Sequence, residues 1–197
     1  KMKTSIPNLT ILFTKFKEGD DDAFIFFYEL YLNDLYSYGI SLGCEKEVVK
    51  DLVQDIFIKI YNKQKDFFSV NHLKYFLFRS LKNQLYNFYK SKAVTSKTDI
   101  SDDILNFSIT TTVLDNIIDA EESIAIKKKI EDLLSKLTPR QKEVIYLRYM
   151  QNMEYDEISE IMGITPHATR KLVSRSLKKM RDEELLIPFL FYMIIFS

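Results

Sequence analysis

Apolar residues recur along most of this chain at three- and four-residue spacing, the period of helices that each bury one face. The first such run covers Ala23 to Leu42, with Phe24, Phe27, Tyr28, Leu30, Tyr31, Leu35 and Tyr38 on the stripe. Asp20, Asp21 or Asp22 supplies its N-cap, and Gly43 ends it. A second run, Glu45 to Lys63, carries Val48, Val49, Leu52, Val53, Ile56, Phe57 and Ile60. A third begins at Val70 or Asn71 and continues to Lys92. From residue 93 to 113 the pattern lapses into Ser, Thr and Asp, the composition of a linker. Periodicity resumes near Leu114 and strengthens from Ile124 to Leu137. Thr138-Pro139 reads as an N-cap followed by proline at the first helical position, starting a helix to Met150. Runs from Met153 to Met162 and Pro166 to Arg181 follow. The expected fold is therefore all-α. Two helical domains, 8–92 and 114–183, are joined by a flexible linker, 93–113, and followed by an apolar tail, 184–197.

Composition supports that pattern. Only four Gly and four Pro occur in 197 residues, as long helices require. The 28 basic and 28 acidic side chains cancel, so net charge alone points to no polyanionic partner. The local distribution does: Lys59 to Lys92 holds a single acid, Asp66, among many Lys and Arg. One cysteine, Cys44, precludes an internal disulfide and suits a reducing cytoplasm. Two histidines, His72 and His167, offer no metal constellation, and no secretory leader pattern is evident. Gly-rich phosphate loops and nucleophile–base sets are also lacking, which argues against an enzyme. No catalytic residue, cofactor or metal is expected.

Tyr155 to Arg181 has the organisation of a helix-turn-helix. Ile158, Ile161, Met162, Ile164, Leu172, Val173 and Leu177 have core spacing, Gly163 suits a positive φ in the turn, and Thr165-Pro166 starts the second helix. That helix is basic, with Arg170, Lys171, Arg175, Lys178, Lys179 and Arg181, and no acid before Asp182. The start of such a helix reaches base edges in the major groove, and later cations meet phosphates. Leu137 to Tyr149, Tyr155 to Gly163 and Leu177 to Arg181 resemble region 4 of bacterial sigma factors, and the chain's small size resembles the extracytoplasmic-function group of the sigma-70 family. The resemblance implies that Arg148, His167, Arg170, Lys171, Ser174 and Arg175 face a −35 promoter element. Ala168-Thr169 stands where that family commonly has Thr-Val, and Leu172 where a polar residue is common.

In the first domain, Asp51, Gln54, Asp55 and Ile58 fall on roughly one helical face. Farther along, Asn71 to Lys90 interleaves aromatics with Lys, Arg and Asn, the mixture that stacks unpaired bases and holds their phosphates. Asp51-Leu-Val-Gln-Asp-Ile-Phe57 resembles sigma region 2.2, and Phe76-Leu-Phe-Arg79 followed by Asn83 resembles regions 2.3 and 2.4. The first match implies polymerase contact through Asp51, Gln54, Asp55 and Phe57. The second implies −10 contact through Phe76, Arg79, Lys82, Asn83 and Asn87, with the preceding loop, Lys65 to Asn71, forming a pocket for a flipped base.

The function implied is that of an alternative sigma factor, directing promoter-specific initiation by core RNA polymerase. Its implied partners are the β′ clamp helices and β flap of the polymerase, promoter DNA and an anti-sigma factor. No small-molecule substrate is implied, and membrane contact only indirectly, through an anti-sigma factor. The alternative is a helix-turn-helix transcription regulator that does not replace a polymerase subunit. The tail, Leu185 to Phe196, is almost wholly apolar, interrupted by Pro188 and, at about 12 residues, too short to span a bilayer. Three readings stand for it: folding back onto the domains, docking a protein partner, or touching a membrane.

Overall fold

The computed structural model of the chain describes residues 9–95, 105–108, 132 and 134–181. The apolar tail, most of the linker and most of the helix expected between Leu114 and Leu137 lie outside the described residues. Among the described residues every regular element is helical. None of these helices is long and apolar enough to cross a membrane.

The N-terminal unit begins with a helix that the sequence pattern did not announce, α1 (Leu9–Glu18), which buries Phe13 and Phe16. After Gly19 turns the chain, the Asp20 carboxylate accepts a 2.8 Å hydrogen bond from the Ala23 amide and caps α2 (Asp21–Ser41). Gly43, at φ 82°, allows the turn into α3 (Lys46–Tyr61). A short 3₁₀ turn, Gln64–Asp66, then leads to α4 (Val70–Thr95), three residues longer than expected. Phe27, Leu35, Val49, Val53, Ile56, Ile60, Leu73, Leu77 and Leu81 fill the space between these helices. Gly39 matters for the α2–α3 packing: a methyl there would lie 2.5 Å from Val49 Cγ1, so the two helices approach only because it has no side chain. Cys44 is buried, and that burial pushes its thiol up to about 11, consistent with a packed, unreactive residue.

The C-terminal unit opens as its sequence suggests. The Thr138 hydroxyl accepts from the Gln141 amide and the Gln141 side chain accepts from the Thr138 amide, a capping box at the start of α5 (Pro139–Ile145). The expected single helix to Met150 instead widens at Tyr146–Met150 into a π turn. Its end is secured by the Gln151 amide on the Tyr146 carbonyl (3.1 Å) and the Met153 amide on the Leu147 carbonyl (3.1 Å). Asn152, with φ 48°, makes the corner that delays the next helix, α6 (Tyr155–Met162), beyond its expected start at Met153. Gly163 adopts the left-handed conformation at the end of α6. The Thr165 hydroxyl then accepts from the Ala168 amide at the start of α7 (Pro166–Arg181).

The two units pack against each other. Tyr38 of α2 and Tyr146 of the π turn lie nearly parallel, centroids 5.8 Å apart, and Phe107 fits beside both at 6.0 and 5.4 Å. All three rings are buried. The Ser108 amide donates to the Ser41 carbonyl at 2.6 Å, holding this piece of the connecting segment to the end of α2.

Candidate nucleic-acid interface and docking face

The outer face of α3 presents Asp51, Gln54 and Asp55, all exposed, followed one turn on by Ile58, 55% exposed. An exposed isoleucine at the end of an acidic stripe provides an apolar anchor beside charge, a combination suited to a protein partner. Phe57 is different. It is 4% exposed, with its ring 4.8 Å from Tyr28 and 6.3 Å from Phe24. Its place is beneath the stripe, so the direct contact expected of it is not available in this structure. A position two after Asp55 falls on the inner face of a helix whose outer face carries Asp51, Gln54, Asp55 and Ile58.

The loop before α4 and the first turns of that helix form a row of rings. Phe68, 83% exposed, stacks on His72 at 4.8 Å, and His72 stacks in turn near Tyr75 at 6.3 Å. The loop is held by its backbone: the Phe68 amide donates to His72 Nδ1 (3.3 Å) and the His72 amide to Ser69 Oγ (3.1 Å). Phe67 is buried beneath, edge-on to Phe76 at 5.2 Å. Phe76 is half-buried and so braces the loop. Phe68, His72 and Tyr75 were not singled out by sequence as ring-bearing site residues. The available signal was the Phe67-Phe68 pair in a loop, since a loop has room to bury only one of two adjacent rings.

Of the residues expected on the DNA-facing side of α4, Asn83 and Asn87 are exposed. Arg79 and Lys82 are engaged by the C-terminal unit. Lys82 Nζ lies 2.6 Å from Glu143 Oε1, which also accepts a 2.7 Å hydrogen bond from the Tyr38 hydroxyl. Arg79 lies 2.7 Å from Glu160 Oε2, and the Tyr75 hydroxyl donates to the same carboxylate. Burial, reinforced by Glu160, pushes the Tyr75 phenol up to about 12, and burial next to Glu143 holds Tyr38 well above the usual phenol range. Both phenols therefore stay protonated as donors. Earlier in α4, Lys74 donates to the Gln151 carbonyl at 2.8 Å. Burial lowers its pKa, partly offset by Asp34, whose own carboxyl is raised by burial.

On α7, His167, Arg170, Lys171, Ser174 and Arg175 are all exposed and share the outer side of the helix. The two departures from the usual family pattern face inward. Thr169 is buried with its hydroxyl on the Thr165 carbonyl (3.1 Å), and Leu172 is half-buried against the core. Arg148 is only half-exposed: it donates to the Met153 carbonyl at 2.7 Å, pairs with Glu154 at 3.4 Å and lies 4.8 Å over the Tyr155 ring. Arg170 approaches the same ring at 5.3 Å. Arg148 thus braces the corner before α6, and Arg170 reaches it from α7.

The two units have counterparts in known proteins. Sigma-70 region 2 matches residues 27–95, and Sigma-70, region 4 matches residues 127–180. The chain belongs to the sigma-70 family of RNA polymerase sigma factors. Proteins similar to it include extracytoplasmic-function (ECF) sigma factors. RNA polymerase sigma factor YlaC of Bacillus subtilis is 28% identical over 180 residues, covering 86% of this chain and 98% of that protein. ECF RNA polymerase sigma factor SigM of the same organism is 25% identical over 157 residues, covering 78% and 90%. Among solved structures, the sigma factor RpoE in complex with the anti-sigma factor NepR, from Bartonella quintana, superposes with a TM-score of 0.53. That pair is 25% identical, over 82% of this chain and 94% of that one. The chain is an alternative sigma factor that directs promoter-specific transcription.

Proposed function

We propose that the two helical units divide the work of promoter recognition as follows. The unit spanning residues 8–92 docks core RNA polymerase through Asp51, Gln54, Asp55 and Ile58, with Phe57 supporting that face from within. Its loop and α4 hold the separated −10 strand: Phe68 and His72 stack a base taken out of the duplex, Arg79 and Lys82 meet phosphates, and Asn83 and Asn87 reach base edges. The unit spanning 114–183 places the start of α7 in the major groove at −35, where His167, Arg170, Lys171, Ser174 and Arg175 are presented. Arg148 positions α6 and α7 for that task. The polymerase supplies the chemistry, and this subunit acts in the cytoplasm without catalytic residues. An anti-sigma factor is a further partner, as for the Bartonella protein.

The observation that carries this reading is the exposed Phe68 ring, 83% accessible and stacked on His72 beside a cationic, amide-bearing helix. A large aromatic held outward where hydrogen bonds tie its loop to the first turn of α4 has no packing role to explain it. Stacking on one base is worth about 1–3 kcal/mol. Phe68→Ala is therefore expected to reduce open-complex formation by about 5- to 150-fold while leaving binding to core polymerase unchanged. A template already unpaired at −10 should recover much of the loss, because the unstacking cost has been met in advance. Lys171→Ala should instead weaken −35 binding on both templates by about 1–3 kcal/mol if it contacts a base. Footprinting and permanganate reactivity on a promoter selected by the holoenzyme measure both effects. Wild-type strand opening by both variants would contradict the proposal.

A further inference from the structure

A cavity of about 650 Å³ lies between α2, the start of α4 and the corner before α6, a volume that holds an organic molecule of metabolite size. Leu30 and Tyr31 of α2, Val70 of α4, Tyr149 of the π turn and Met153 of the corner give it apolar and aromatic walls. Asp34, Lys74, Gln151 and Glu157 add polar groups.

Hydrogen-bonding capacity on these walls is uneven. The cationic donors are engaged: Lys74 on the Gln151 carbonyl at 2.8 Å, and Arg148 on the Met153 carbonyl at 2.7 Å and on Glu154. Gln151 is 5% exposed, and its Nε2 donates to the Tyr146 hydroxyl at 3.1 Å. Its Oε1 is buried with no hydrogen-bond partner among the described residues. Folded proteins leave few such atoms, because a buried acceptor without a donor forfeits its hydration for nothing. Asp34 is close enough to interact with both Gln151 and Lys74, yet burial raises its carboxyl by more than those two lower it. The wall therefore lacks a donor, and a positively charged donor would serve Asp34 and Gln151 Oε1 together. Tyr31 and Tyr149 add ring faces, which attract cations.

We propose that this cavity binds a small organic ammonium with an apolar body, the ammonium donating to Gln151 Oε1 and to the Asp34 carboxylate. The apolar body lies against Leu30, Val70 and Met153. An anion of the same shape would meet the carboxylates of Asp34 and Glu157 instead. Asp34, Gln151 and Glu157 have no part in the promoter and polymerase contacts proposed above, so this site can fail without touching them.

The test uses the full chain and three probes of one shape: 2-phenylethylamine (an ammonium at neutral pH), 2-phenylethanol and 3-phenylpropionate. Ligand-observed NMR titration gives each affinity. The ammonium is expected to bind saturably, and the alcohol and the carboxylate about tenfold or more weakly, the cost of losing a charge-assisted hydrogen bond. Val70→Trp fills the cavity from α4 and should abolish binding, with a melting curve to show that the chain is folded. Asp34→Asn should weaken the ammonium about tenfold and leave the alcohol unchanged, whereas general damage to the fold would lower both alike. Asp22→Asn, an exposed acid at the far end of α2, should change neither. No saturable binding of any probe would mean a cavity that holds only water and would overturn the proposal. So would equal affinity for the three probes, ammonium binding that survives Val70→Trp, or an Asp34→Asn protein that binds the ammonium like the wild type or loses both probes equally.

Discussion

Replacing Asp55 by Arg is expected to cost this sigma factor most of its hold on core RNA polymerase. Asp55 lies with Asp51 and Gln54 on the exposed side of α3, and its side chain is not part of the packed interior of the N-terminal unit. The substitution both removes a carboxylate and places a cation in an acidic docking stripe, so attraction is lost and repulsion is added. Central interface residues of this kind are worth about 2–3 kcal/mol, corresponding to about 30- to 160-fold in affinity. Because the site is exposed, thermal stability should change by no more than about 0.5 kcal/mol. Competition with a labelled wild-type chain for core polymerase, read beside a melting curve, separates the two quantities. Wild-type competition by Asp55→Arg would remove α3 from the docking face. Ile58→Ala should act in the same direction and more weakly, since it deletes the apolar anchor without introducing repulsion.

Phe16→Ala is expected to destabilise the N-terminal unit by about 3–5 kcal/mol, the range for truncating a buried phenylalanine. Phe16 is 1% exposed and lies within 5.3 Å of Phe27, 5.8 Å of Phe13, 6.2 Å of Phe67 and 6.3 Å of Phe24. It joins α1 to both α2 and the loop before α4. Phe67 anchors that loop from below while Phe68 points out, so the cavity left by Phe16 should also loosen the stacking platform. Denaturant unfolding measures the first effect. The second appears as poorer strand opening at temperatures where the variant is still folded. A loss of stability below about 1 kcal/mol would show that α1 is not integral to this core.

α1 also shows where the sequence stops being legible. Leu9, Leu12, Phe13 and Phe16 keep helical spacing, but ten residues are too short a run to specify a helix alone, and the aromatic rings of α2 and the loop before α4 give Phe13 and Phe16 a place to go. Elements fixed by local chemistry were readable: a cap among Asp20, Asp21 and Asp22, which is Asp20, the turns at Gly43 and Gly163, the Thr138 cap, and the Thr165 cap of α7. The π turn at Tyr146–Met150 was not, because its widened backbone is stabilised by bonds to Gln151 and Met153 in the corner beyond it. Within the candidate site, residue type and spacing placed Asp51, Gln54 and Asp55 on an exposed face. Spacing put Ile58 on that face too, whereas Phe57 joined the set only through the family resemblance, and it faces inward. The pairings of Arg79 and Lys82 were hidden for a different reason. Glu160 lies 81 positions from Arg79 and Glu143 lies 61 from Lys82, so no local pattern links them. Burial likewise accounts for the unusual residues in α7: Thr169 and Leu172 depart from the family pattern on the side of the helix turned toward its own core, leaving Arg170, Lys171, Ser174 and Arg175 exposed.

If one chain supplies both the polymerase contact and the promoter address, reconstituted transcription will show it. Core RNA polymerase alone and core polymerase with this chain would be given a library of random promoters, and the transcripts sequenced. Transcripts are expected only when the chain is present, starting downstream of two shared sequence elements separated by a fixed spacing. Asp55→Arg should abolish the signal, and Lys171→Ala should relax only the upstream element. Transcripts with no shared elements, or a chain that fails to bind core polymerase at all, would contradict it.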